Sequence, residues 1–163
     1  MPKHLTLIES TYELGRPSGN LPTEEQFDPY GGDLDAQCAW RNFGGLDLQK
    51  AFERFCDNPG CYQEDFMFMG GSAFEFYLPV LVKYLKEIVP EDETDDCEAW
   101  ILGCALEIQL DEGKTSFSNI TEERIRQSCR VVRKRFGDFH LPEENKQRIL
   151  EQWAKVEALC SDR

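Results

Sequence analysis

Apolar residues recur at three- and four-residue steps in stretch after stretch of this chain, and glycine or proline closes nearly every stretch. That period belongs to helices with one buried face, and the closing residues are those that end helices. Leu48, Ala51, Phe52, Phe55 and Cys56 share one face, opened by Asp47 as N-cap and stopped by Asn58-Pro59-Gly60. Asp33 to Phe43 reads as a short helix ended by Gly44-Gly45, with Leu34, Cys38 and Trp40 inward. Ala73 to Val89, opened by the stop and cap Gly70-Gly71-Ser72, is the most apolar helix. Pro79 inside it cannot donate to the carbonyl four residues back, which predicts a kink or a restart.

Three further helices follow. Thr94 caps one with an inner stripe of Cys97, Trp100 or Ile101, Cys104 and Ile108, closed by Gly113. Thr121 caps the next, with Ile120 placed to staple against Ile125, and Ile125, Cys129, Val132 and Phe136 facing inward before Gly137. The last runs from near Pro142 to about Cys160 and buries Ile149 or Leu150, Trp153, Val156 and Leu159. Tyr62 to Met69 reads as a short helix, although the alternation of Tyr62, Glu64, Phe66 and Phe68 also fits a strand.

Residues 1–32 differ, because Gly15, Pro17, Gly19, Pro22, Pro29, Gly31 and Gly32 break them into short pieces. A capping box at Thr23-Glu24-Glu25-Gln26 starts one helical turn there, and Leu7-Ile8 or Tyr12 to Leu14 suits a minor strand. The expected fold is therefore mainly α: a single-domain helical bundle of about six or seven helices with an irregular N-terminal segment. A length of 163 residues fits one domain, and 11 Phe, 5 Tyr and 3 Trp supply its core.

Charge narrows the function. The chain carries 18 Lys and Arg against 31 Asp and Glu, a net charge of −13, which disfavours nucleic acid as a partner. The first 120 residues hold 8 basic and 23 acidic side chains, and the remainder 10 and 8. The basic excess lies in Arg124, Arg126, Arg130, Arg133, Lys134 and Arg135. That helix suits a phosphate or a nucleic-acid backbone, or pairing with acids of its own chain or of a second copy, and equally plain solvation, which the overall negative charge favours along with pairing inside the chain. The acidic counterpart is Glu91, Asp92, Glu93, Asp95, Asp96 and Glu98, six acids in eight positions. This run suits a docking surface for a basic partner. It equally suits a solvated helix start, where the dipole favours acids. A calcium loop fits poorly, since Cys97 follows Asp96 where the tight turn needs glycine.

Seven cysteines form an odd set, read as reduced and mostly buried thiols. Cys56-x4-Cys61 and Cys97-x6-Cys104 lack zinc-site spacing, and only His4 and His140 could add ligands, so no metal and no cofactor is expected. Glu9 and Glu13 interrupt the N-terminal apolar residues, and no run is long enough for a membrane span. The expectation is a cytoplasmic protein that does not enter membranes.

Phe43-Gly44-Gly45-Leu46-Asp47-Leu48, then Tyr62 to Gly70, then Ala73-Phe74, Phe76-Tyr77-Leu78-Pro79 and Tyr84-Leu85 resemble small uncharacterised acidic bacterial proteins, loosely like immunity-type proteins of competition systems. The resemblance covers roughly residues 40–90 and rests on aromatic and glycine positions. It implies a bacterial cytosolic binding protein and assigns no catalytic residue.

Together these readings favour a non-enzymatic interaction protein, an immunity-type inhibitor that covers a basic partner surface with the Glu91 to Glu98 run. A small enzyme using carboxylates or His140 in a pocket between helices is the alternative from another class. A self-associating structural subunit is the third reading, pairing acidic body with basic helix in a homo-oligomer.

Overall fold

The computed structural model describes residues 5–7, 14, 19–90, 99–111, 117–139 and 143–161. The fold is mainly α, as the periodicity predicts. Six longer helices carry it: α2 (Leu34–Phe43), α3 (Leu48–Asp57), α6 (Gly71–Glu87), α7 (Ala99–Asp111), α8 (Asn119–Lys134) and α9 (Lys146–Ser161). Three single turns join them, α1 (Glu24–Phe27), α4 (Pro59–Tyr62) and α5 (Asp65–Phe68). A two-stranded antiparallel ribbon pairs β1 (Leu5–Leu7) with β2 (Ile88–Pro90), Leu5 opposite Pro90.

The caps explain most boundaries. Asp33 accepts hydrogen bonds from the N–H groups of Asp35 and Ala36, and Asp47 from that of Lys50, so α2 and α3 start where their acids predict. In α1 the Gln26 side chain accepts from the Thr23 N–H at 2.9 Å. Asn58 ends α3 and caps α4, with Pro59 at its first position. The Tyr62 to Met69 stretch is helical, divided into two turns rather than forming one helix.

Several expectations fail locally. Helix α6 runs through Pro79 but ends at Glu87, because β-branched Ile88 and Val89 pass into the ribbon. Ser118, not Thr121, caps α8, its hydroxyl accepting from the Thr121 N–H at 3.2 Å. The earlier start turns Ile120 outward, 66% exposed, so it staples nothing. Leu34 likewise points to solvent, and α2 buries Ala36, Ala39 and Phe43 instead. On α7 Ile101 is buried as expected, but the rest of the buried face is Leu102, Ala105, Leu106 and Leu110, with Cys104 and Ile108 at its margin.

Helix α6 is the central element, buried along most of its length between α3 and α8. Around it the aromatic side chains form a continuous file, Trp40, Phe27, Tyr77, Phe43, Phe66, Phe55 and Tyr84, with successive ring centroids 5.0 to 5.9 Å apart. Edge contacts of this kind add to the area each ring buries. Helices α7, α8 and α9 close the other side on Ile125, Val132, Ile149 and Trp153.

Tyr77 also does polar work in this file. Its hydroxyl donates to the Phe43 and Leu46 carbonyls, 2.8 Å from each, at the C-terminal end of α2 where carbonyls lack helical partners. Tyr77→Phe should therefore cost about 1 to 3 kcal/mol in denaturant unfolding, since the Phe43 carbonyl keeps the Leu46 N–H but the Leu46 carbonyl loses the hydroxyl. The exposed Tyr30→Phe should cost under about 0.5 kcal/mol. Equal losses would remove the polar role assigned to Tyr77.

Candidate functional site

Glu91, Asp92, Glu93, Asp95, Asp96 and Glu98, the acids singled out by sequence, lie outside the described residues, as does His140. The basic helix is described, and most of its charge is spent inside the chain. Arg126 pairs with Glu122 and Glu123 and donates to the Cys160 carbonyl. Arg130 pairs with Glu123, and Arg133 reaches Glu157 on α9. Arg135 is buried, donating to the Leu85 carbonyl and to Asp138, with its guanidinium over Phe139.

Two buried thiols are poor nucleophiles. Burial above all pushes the Cys56 and Cys129 thiols up to about 12, with neighbouring Asp57 and Cys160 adding to it, so both stay protonated at neutral pH. Glu87 is buried at the end of α6, its Oε2 2.7 Å from Lys83 and its Oε1 without a partner. Lys83 in turn lies over the Phe52 ring. Among the described residues no cluster of three or more His, Cys, Asp and Glu could hold a metal ion. Nor is any described helix long and apolar enough to cross a membrane.

A groove of about 540 Å³ offers more. Residues 28–33 form one rim, α5 the other, and Ile108 and Gln109 of α7 close the end. Gly31 and Gly32 have φ of +71° and +88°, a left-handed backbone that other residues resist, and the turn they allow leaves Tyr30 81% exposed. Phe68 stands on the opposite rim, 38% exposed, with Met67 beside it. Among the described residues, Glu25, Asp28 and Asp33 are the charged residues of the lining, and none is Lys, Arg or His.

The walls are fixed from beneath. Asp28 accepts from the Asp33 N–H and the Gln37 side chain, both at 3.2 Å, which binds the acidic turn to α2. The Gly70 N–H donates to the Phe27 carbonyl at 2.8 Å, and a β-carbon at Gly70 would meet the Gln26 carbonyl oxygen at 2.3 Å. Only glycine permits that approach of α1. From α7 the Gln109 amide donates to the Phe66 and Met69 carbonyls at 3.2 and 2.7 Å. Asp65, buried at the start of α5, accepts from Asn42 of α2 at 2.8 Å. The elements flanking the groove are thus hydrogen-bonded to one another, and the site is preformed.

In the sequence Asp33, Phe68 and Ile108 are legible as a helix start, part of an apolar run and part of a helix stripe, but not as members of one groove. The available signal was the doublet Gly31-Gly32 bracketed by Asp28, Tyr30 and Asp33, read only as a break in the lead-in. The contribution of Phe68, Met67 and Ile108 was not legible, because they meet the turn only after α5 and α7 pack. No family model matches this chain, and no curated protein or solved structure does.

Asp65 gives the wall a pH signature. Desolvation raises its carboxyl to about 6 from an ordinary 3.8, against the lowering effect of Asn42 and with a smaller push from Glu64. A carboxyl whose folded pKa exceeds its unfolded one holds its proton in the fold, so its contribution is greatest at low pH and is lost as pH rises from about 4 to 6. Asp65→Asn removes this loss. Its stability relative to wild type should rise by about 2 to 3 kcal/mol between pH 4 and 7 in urea unfolding, at 1.36 kcal/mol per pK unit. Parallel pH profiles would show that Asp65 titrates alike in both states.

Proposed function

We propose that this protein is a non-enzymatic interaction protein that holds a basic, partly apolar segment of a partner in the groove of Tyr30 and Phe68. The observation that carries the reading is the groove's make-up: apolar walls, three carboxylates and, among the described residues, no cation in one fixed concavity. An exposed aromatic pair rimmed by acids has the anatomy of a docking surface, with the rings supplying burial and the acids selecting positive charge. Met67 beside them adapts to different apolar side chains.

The net charge of −13 favours the same partner by drawing basic surfaces toward the molecule. The six acids from Glu91 to Glu98 add to that long-range field in this reading. In the cytoplasm of a bacterium, the role would be that of an immunity-type inhibitor, which covers a basic working surface of another protein by steric cover and charge complementarity.

The probe is a fluorescent peptide of about ten residues with a Leu or Phe anchor flanked by Lys and Arg, matched to the reach of an extended chain. Its affinity, read by anisotropy, should fall at least about fivefold between roughly 50 and 300 mM salt. Tyr30→Ala and Glu25→Gln should each weaken it while leaving the melting temperature within about 2 °C of wild type, as exposed substitutions do. Equal affinity for a control peptide with Glu in place of the Lys and Arg would contradict the reading. So would full binding by the Tyr30→Ala variant.

A further inference from the structure

We infer that the partner segment continues over α1 and presents a carboxylate to Arg124 in a second groove. This rests on the binding role assigned to the first groove and adds a requirement for the partner's chemistry. The second groove, of about 750 Å³, lies between the chain leading into α1, the first half of α6 and the start of α8. Gln26 and Ser72 line both grooves, so the two are joined around the single turn of α1.

Among the described residues, Arg124 is the only Lys or Arg lining either groove. It is half-buried, and among the described residues no carboxylate lies within ion-pair distance of it. Its neighbours Arg126, Arg130 and Arg133 are all paired, so Arg124 departs from the pattern of its own helix. Glu75, the acid of this groove among the described residues, accepts from the Ser118 N–H at 3.4 Å instead. A half-buried guanidinium without a carboxylate is matched by an incoming one, which it grips through a two-pronged fork. Ile120, 66% exposed, and Leu21, 41% exposed, give the same groove an apolar rim. The complementary ligand is one peptide segment, basic and apolar at one end and acidic at the other. Crossing a helix about 10 Å wide takes roughly three or four extended residues.

The test compares the basic peptide above with versions lengthened at either end by a Gly-Ser-Gly spacer and two Asp. One lengthened version should bind about tenfold more tightly than its parent, through the effective concentration of a tethered second contact. Arg124→Gln should cut that gain to within about twofold while leaving the parent's affinity unchanged, since Arg124 does not line the first groove. No gain in either lengthened peptide, or an undiminished gain in Arg124→Gln, overturns the inference. If the parent binds and neither extension helps, the second groove alone fails. If the parent does not bind but a lengthened peptide does so through Arg124, the first-groove reading fails and the second stands. If none binds, both are refuted.

Discussion

The carbonyls left over at helix C-termini are the constraint around which this bundle is organised. Each helix ends with acceptors that its own backbone cannot satisfy, and burying them unpaired costs more than a good packing contact returns. Here long side chains from other helices reach across to them. Tyr77 of α6 serves the end of α2, Gln109 of α7 the end of α5, and Arg135, just beyond α8, the end of α6. Arg126 of α8 does the same for α9, and Arg54 of α3 donates to the Asn42 carbonyl of α2. Helix ends thereby become joints, and each joint fixes where the next element sits.

Those joints make a groove out of pieces that would not persist alone. A single helical turn such as α1 or α5 lies far below the length at which a helix is stable in water. α5 is held because Gln109 takes its carbonyls, Asp65 meets Asn42 and Phe66 enters the aromatic file. α1 is held by the buried Phe27, whose carbonyl takes the Gly70 N–H. Tyr30 and Phe68 thus stand on a rigid base although each belongs to a short segment. A preformed surface binds without first ordering itself, which would favour affinity in the interaction role proposed above.

Much of the fold was legible in the sequence where one local signal sufficed. Asp33 and Asp47 are short acids placed just before apolar periodicity, and both cap their helices. The stripe of α3 is read correctly down to Cys56, because its residues are large and its stops are unambiguous. Leu34 misled because a bulky residue in a first turn resembles a core position, while α2 packs through the small Ala36 and Ala39. Ser118 and Thr121 are both hydroxyls with cap preference, and choosing between them decides whether Ile120 faces inward. The groove was the least legible feature, since its rims are about 38 residues apart in the chain at Tyr30 and Phe68 and are brought together by contacts such as those of Gly70 and Gln109. Periodicity reports which face is buried, not which neighbour it meets.

The most direct measurement is native-state hydrogen exchange at the Gly70 amide, which joins α1 to the start of α6. If the joints hold the short turns to the core, that amide exchanges only with the unfolding that exposes the middle of α6, at the same free energy. Exchange many orders of magnitude faster, with α6 still protected, would mean that α1 and α5 open on their own and that the groove is not a fixed surface.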